Sequence, residues 1–213
     1  MKSIAIGVHL RSEDIEPLAA ATPAGALFVS AVPVPEDQSL SDRDLLVRIS
    51  GVRAALLERA TFIAIRYGFA FRSAAEAEAK CAQYAAKWKK LLEEHRHRVE
   101  LTLRVAAAGS ARPQRRDFQS GAEFLRALHS SARSARVDDA FRAAVEELIA
   151  PLCVKSHWAP RDEKSIELCG LIERSRLPNL SRAGQALKAR CPHVPFLLSA
   201  PWPLEVFTDA DHE

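Results

Sequence analysis

Apolar and polar positions along the chain switch repeatedly between period two and a helical period. Ile4, Ile6, Val8 and Leu10 alternate with Ser3, Ala5, Gly7 and His9, which predicts a first strand with one buried face. Ala26 to Val32 predicts a second strand, closed by Pro33 and Pro35. Residues 41–58 carry Leu45, Ile49, Val52 and Leu56 at helical spacing. Ser41 stands as N-cap there, with Asp42 and Asp44 in the first turn. The densest apolar run follows, Thr61-Phe-Ile-Ala-Ile-Arg-Tyr-Gly-Phe-Ala-Phe71, with Arg66 as its single charge. Near-continuous apolar runs mark strands buried on both faces, so this stretch is expected at the centre of the fold. Gly68 would mark a bulge or a close backbone approach. A buried Arg66 would pair with a carboxylate such as Glu100 or bind an anionic ligand, and the general scarcity of unpaired buried charge favours the first.

Ser73-Ala-Ala-Glu76 is a capping box. Cys81, Tyr84, Ala85, Trp88, Leu91, Leu92 and His95 then recur on one face of a predicted long helix, with Lys80, Lys87, Lys89, Lys90, Glu93 and Glu94 opposite. Over His97 to Val105 the period returns to two, with Val99, Leu101, Leu103 and Val105 on the dry face of a strand. Gly109 to Asp117 reads as a loop. A second capping box, Ser120-Gly-Ala-Glu123, opens a helix with Phe124, Leu125 and Leu128 inward. The helical pattern weakens across 131–137 and resumes from Val137 to Ile149, giving one long helix or two. Leu152–Trp158 and Ser165–Ile172 flank the polar segment 159–164 and predict a hairpin. Symmetric pairing about that turn would set Cys153 nearly opposite Cys169, within disulfide reach, although both thiols are expected reduced. A helix over 179–191, a strand over 194–199, the closing Pro201-Trp202-Pro203 and a frayed acidic tail from Thr208 complete the pattern.

From residue 96 the order is strand, helix, strand, strand, helix, strand. This predicts a split βαβ (ferredoxin-like) domain, an antiparallel sheet with packed helices. The first 95 residues give a related but irregular set. The expected fold class is therefore α+β, in two domains spanning 1–95 and 96–213.

Composition narrows the function more than it defines it. The chain has 213 residues, 48% apolar and 27% charged, with net charge +3, the balance of an ordinary globular protein with no strong field for nucleic acid. The N-terminus lacks the longer apolar core of a signal peptide. The uncharged stretch 17–35 is punctuated by Pro23, Gly25, Ser30, Pro33 and Pro35, too heavily for a spanning helix, and is expected as a loop plus a strand. Cys81, Cys153, Cys169 and Cys191 form no CxxC and read as reduced thiols of a cytosolic protein. Cys191-Pro-His193 is too small a set for a metal site. No cofactor or metal is expected. His129, His157 and His193 are scattered, and no nucleophile elbow, zinc-protease motif or P-loop is present, so no enzyme is expected. RNA binding on a split βαβ sheet requires aromatics for base stacking, and the wet face of 97–105 offers Arg98, Glu100, Thr102 and Arg104 instead.

Three ordered stretches nevertheless resemble a known family, the GvpL/GvpF gas vesicle proteins. Ile63-Ala-Ile-Arg66-Tyr67-Gly68-Phe-Ala-Phe71 is similar to that family's Leu-Pro-Leu-Arg-Phe-Gly-Thr-Val-Phe signature. The long helix leading into Arg98-Val-Glu100-Leu-Thr-Leu resembles its helix followed by a glutamate-bearing strand. Ser199-Ala-Pro201-Trp202-Pro203-Leu-Glu-Val-Phe207 resembles its closing Gly-Pro-Trp-Pro-Pro-Tyr-Ser-Phe. Ala64 stands where the signature has proline, Ala200 where it has glycine, and Leu204, Glu205 and Val206 replace Pro-Tyr-Ser. The resemblance implies a non-enzymatic accessory or minor structural protein, gas vesicle associated, with the shell protein GvpA and other accessory Gvp proteins as partners. It also implies a modified ferredoxin-like N-terminal domain, and it singles out Arg66, Gly68, Phe71, Glu100, Pro201, Trp202, Pro203 and Phe207 as motif positions. Candidate contact surfaces are the stretch 17–35 and the Pro-Trp-Pro segment. The alternative is a non-catalytic regulatory module of ferredoxin-like fold that binds a small ligand or a protein.

Overall fold

In the computed structural model, residues 1–11, 19–107, 114–133 (side chains as far as 127), 137–162 and 164–205 are described. They divide into two compact units, Met1–Val99 with the segment from Pro201, and Glu100–Ala200. The closing Pro-Trp-Pro segment thus joins the N-terminal unit, whereas the sequence predicts it in the C-terminal domain. A backbone pairing accounts for this: Leu204 N donates to Phe62 O at 3.0 Å and Ala64 N donates to Leu204 O at 3.2 Å.

In the N-terminal unit, β1 (Lys2–His9), β2 (Ala20–Ala24), β3 (Leu27–Val34), β4 (Ile63–Ala64) and β5 (Ala70–Phe71) form one sheet. Its order is β2-β3-β1-β4, with β5 also paired to β1. β1 is antiparallel to β3, β4 and β5, so it is the central strand. Every residue from Ile4 to His9 is buried, where the alternation predicts one wet face. β2 and β3 form a hairpin through Gly25-Ala26. Gly25, at φ +64°, takes the first central position that a tight II′ turn reserves for glycine. The α1 helix (Arg43–Arg59) opens one residue later than predicted, because Asp42 rather than Ser41 is the cap. Its Oδ1 accepts from the Asp44 and Leu45 amides at 2.9 and 3.0 Å. Ile4, Ile6, Val32, Val34, Leu45, Leu56, Leu57 and Phe62 close into the core between sheet and helix.

The apolar run 61–71 is not one central strand. It contributes two two-residue strands separated by a turn, in which Phe69 N donates to Arg66 O at 3.3 Å. Gly68 has φ +95°, the conformation a type II turn requires at its third residue. It therefore marks a reversal, not a bulge. Arg66 and Tyr67 at the tip are exposed, so Arg66 is not a buried cation in need of a buried carboxylate.

The Ser73 box forms with one variation. Ser73 Oγ accepts from Glu76 N at 3.2 Å, while Glu76 Oε2 reaches one residue further back, to Arg72 N at 2.8 Å. The expected long helix is α2 (Ala74–Cys81) and α3 (Ala85–Glu94), joined by a 3-10 turn over Ala82–Tyr84. α2 packs on the edge strand β2.

The C-terminal unit follows the predicted order: β6 (Arg98–Ala106), α4 (Gly121–Arg133), α5 (Asp139–Leu148), β7 (Cys153–Pro160), β8 (Ser165–Glu173), α6 (Leu177–Arg190) and β9 (Phe196–Trp202), with sheet order β7-β8-β6-β9. Two helices flank the weak pattern near 131–137: the first runs to Arg133, and the second is capped by Asp138 on Phe141 N at 2.9 Å. In the Ser120 box both bonds form, at 3.1 and 3.3 Å. Phe124 is half-buried, but Leu125, predicted inward, is 59% exposed. β8 is buried on both faces from Ile166 to Ile172. Within it Glu167, only 9% exposed, holds Arg161 at 2.9 Å and Arg104 at 3.4 Å. The hairpin register departs from symmetry, because Cys153 lies opposite Ile172 and Cys169 opposite His157, with a bulge between Cys153 and Lys155. The four cysteines are free, and burial pushes the Cys153 and Cys169 thiols up to about 11. The Leu128 side chain, the 109–113 portion of the predicted loop, Phe207 and the acidic tail lie outside what is described.

Candidate partner-binding groove

The N-terminal unit carries an open groove of about 590 Å³ beside β4. One wall is the stretch Ile63–Tyr67, ending in the Gly68 turn. Tyr67, 41% exposed, is fixed there by its hydroxyl, which donates to Leu40 O at 2.6 Å. The opposite wall comes from the 3-10 turn and α3. Tyr84 and Trp88 lie one helical turn apart and stack, ring centroids 5.0 Å apart and planes at 23°. Because α3 begins anew after the 3-10 turn, Tyr84 is 46% exposed rather than inward. Lys87 adds a cation between them in sequence. α1 supplies Arg53, and the closing segment supplies Glu205, with Arg53 Nη2 and Glu205 Oε1 3.7 Å apart.

The charge balance in the groove is uneven. Arg53, Arg66 and Lys87 face a single lining carboxylate, Glu205. Among the described residues, neither the Arg66 guanidinium nor the Lys87 ammonium makes an ion pair or side-chain hydrogen bond. Arg53 also keeps a buried Nε–H with no acceptor among them. Aromatic faces beside cations that the described residues leave unpaired, Arg66 and Lys87, make a surface for binding, since such a site offers dispersion, stacking and charge together.

The motif positions scatter. Arg66 lines this groove and Gly68 shapes its rim. Phe71 is buried in β5 against Ser3. Glu100 is buried in β6 of the other unit. Pro203 is buried, as is Leu204, while Trp202 at the end of β9 is 42% exposed. Phe207 is not among the described residues. Of the two surfaces suggested by sequence, the stretch 17–35 supplies β2 and β3, an edge strand packed by α2 and a buried neighbour. The Pro-Trp-Pro segment supplies the Leu204 bridge to Ile63. The sequence pattern did not point to Tyr84, Lys87 and Arg53 as one site, because it placed Tyr84 inward and read Lys87 as solvated. Among the described residues no cluster of His, Cys, Asp and Glu is arranged to hold a metal, and no helix is long and apolar enough to cross a membrane.

No curated protein matches the sequence. The family described as "Gas vesicle synthesis protein GvpL/GvpF" matches residues 14–207. Among solved structures, the gas vesicle protein GvpF from Microcystis aeruginosa is similar with a TM-score of 0.69 at 10% identity, over 98% of this chain and 99% of that one. GvpF from Anabaena sp. PCC7120 is similar with a TM-score of 0.67 at 13% identity, over 100% of this chain and 98% of that one. At such identities the structural likeness speaks for the α+β fold, and the family match rests on the sequence.

Proposed function

The chain belongs to the GvpL/GvpF family of gas vesicle synthesis proteins, and from that membership we propose that it is an accessory or minor structural protein of vesicle assembly. Its partners in this role are the shell protein GvpA and other accessory Gvp proteins, its place is at the gas vesicle in the cytoplasm, and its task is binding, not catalysis. The observation that carries the role is the match over residues 14–207. The groove supplies a surface for it, since it presents exposed Tyr67 and Tyr84 beside cations that the described residues leave without partners. A shell subunit with apolar strands and helices aggregates unless those surfaces are covered until they are incorporated. A protein that holds such a subunit by stacking and charge would release it to the growing shell without covalent chemistry.

Co-expression of the chain with a GvpA-like shell protein and with other accessory Gvp proteins, followed by affinity capture, tests this role. Retention of at least one Gvp protein is expected, and it should drop in Tyr84→Ala and in Trp202→Ala. If the folded chain retains none of them, the accessory role is wrong.

A further inference from the structure

The geometry points to an extended acidic segment of a partner protein, carrying an apolar or aromatic side chain next to its carboxylates, as the occupant of the Arg53–Arg66–Lys87 groove. This identification rests on the accessory role proposed above and names the chemistry of the partner at that surface.

Three observations converge on it. First, the groove already receives one extended piece of chain. Leu204 forms a parallel bridge to Ile63, hydrogen-bonded to Phe62 and Ala64 on the outer side of β4, and the next residue, Glu205, brings its carboxylate to 3.7 Å from Arg53. The protein's own segment thus fills that edge and sets a carboxylate beside one of the groove's cations, an example of the charge that the groove favours. Second, among the described residues a single carboxylate lines the site. Among the described residues Arg66 and Lys87 make no ion pair, and the buried Nε–H of Arg53 finds no acceptor. Carboxylates arriving on a partner would find charge-assisted bonds at a planar guanidinium, where bidentate geometry is available. Third, the stacked Tyr84 and Trp88 give an apolar and π-rich wall on the Lys87 side. A purely ionic ligand would leave that wall wet, whereas a neighbouring aromatic or aliphatic side chain would cover it. A free phosphate would use the cations alone. A basic segment would meet three cations against one carboxylate.

The test uses the full chain and three probes: a fluorescein-labelled synthetic peptide of alternating glutamate and phenylalanine, its counterpart with lysine for glutamate, and inorganic phosphate as competitor. Fluorescence anisotropy should show the acidic peptide binding at least about tenfold more tightly than the basic one, with affinity falling as salt rises from low to physiological concentration. Millimolar phosphate should compete poorly. The double charge reversal Arg66→Glu/Lys87→Glu lies on side chains without partners among the described residues, so the fold should persist by circular dichroism while acidic-peptide affinity falls at least about tenfold. Trp88→Ala should weaken the glutamate–phenylalanine peptide more than a glutamate–serine peptide. Equal affinity for acidic and basic peptides, or an unaltered affinity after charge reversal, overturns the inference. Full displacement by phosphate at matched ionic strength also overturns it, in favour of a simple anion site. Retention of Gvp proteins by the charge-reversed chain would leave the accessory role standing and refute this groove chemistry. Acidic-peptide binding without retention of any Gvp protein would do the reverse.

Discussion

Two stretches of the N-terminal unit invite opposite expectations and exchange their places in the structure. Lys2–His9 alternates apolar with small or polar residues, as a half-exposed strand does, yet β1 is buried from Ile4 to His9 and pairs on both sides. Thr61–Phe71 is almost wholly apolar, as a central strand is, yet it yields two two-residue strands around a turn with Arg66 and Tyr67 exposed. The small residues explain the first case. Ala5, Gly7 and Ser30 sit inside without needing solvent, and Ser30 Oγ donates to Gly7 O at 3.0 Å. The second case is explained by Gly68, whose φ of +95° reverses the chain in the middle of the run. Alternation reports which positions differ in size and polarity. It does not report how many neighbours a strand has.

The sharpest way to probe the difference is at the end of β1, where His9 is fully buried against Phe62, ring centroids 5.3 Å apart. Neither ring nitrogen has a hydrogen-bond partner among the described residues, and burial pulls its pKa from 6.5 down to about 4. A folded-state pKa below the unfolded one means that the unfolded chain takes up the proton first. Stability is therefore complete above about pH 6.5, falls as pH drops toward 4, and has lost about 3 kcal/mol by then on account of this group. Denaturant unfolding at pH 7 and pH 4.5 should show the loss in the wild-type chain, and most of it should vanish in His9→Leu, which removes a buried polar group that the described residues leave without a partner. An equal pH slope in the two proteins would mean that β1 ends in water after all.

Gly7 gives the next largest effect. A Cβ at this position would run into the Phe62 ring and stand 2.9 Å from Ile63 O, so the apolar run approaches β1 too closely for any side chain. Gly7→Ala should cost about 2 kcal/mol through overpacking. Phe62→Leu in the same background should recover part of that loss, whereas Phe62→Leu alone should destabilise, since Phe62 is fully buried. Additive effects would break the link between the two stretches.

Local chemistry was the legible part of the sequence. Both serines cap as expected, and the Ser120 box closes fully while Glu76 reaches one residue past Ser73, because such a box needs only two side chains and the adjoining backbone. The hairpin of β7 and β8 and the strand–helix order of the C-terminal unit follow from period alone. Its register did not, because one bulge after Cys153 shifts the cysteines out of opposition. The β2 strand was hidden, since Ala20–Ala24 contains a proline and little apolar bulk. The groove was illegible for a different reason. Its walls come from α1, the Gly68 turn, α3 and a segment from the far end of the chain. A backbone pairing between Leu204 and residues 62–64 that no local pattern announces brings that last segment into place.

The smallest effect separates two reasons for having a glycine. Gly7 is required by space and has no unusual φ, while Gly68 is required by φ and has space, its nearest added-Cβ neighbour being Leu40 Cδ1 at 3.7 Å. Gly68→Ala should therefore cost about 1 kcal/mol from left-handed backbone alone. Gly68→Asn should cost less, because asparagine tolerates that region better than alanine does. At Gly7 the order should invert, with asparagine worse than alanine, because only volume matters there. Thermal melts of the four variants decide it. The same ranking at both positions would mean that the Arg66–Phe69 reversal is not fixed by its glycine, and the tip that presents Arg66 and Tyr67 to the groove would then need another cause.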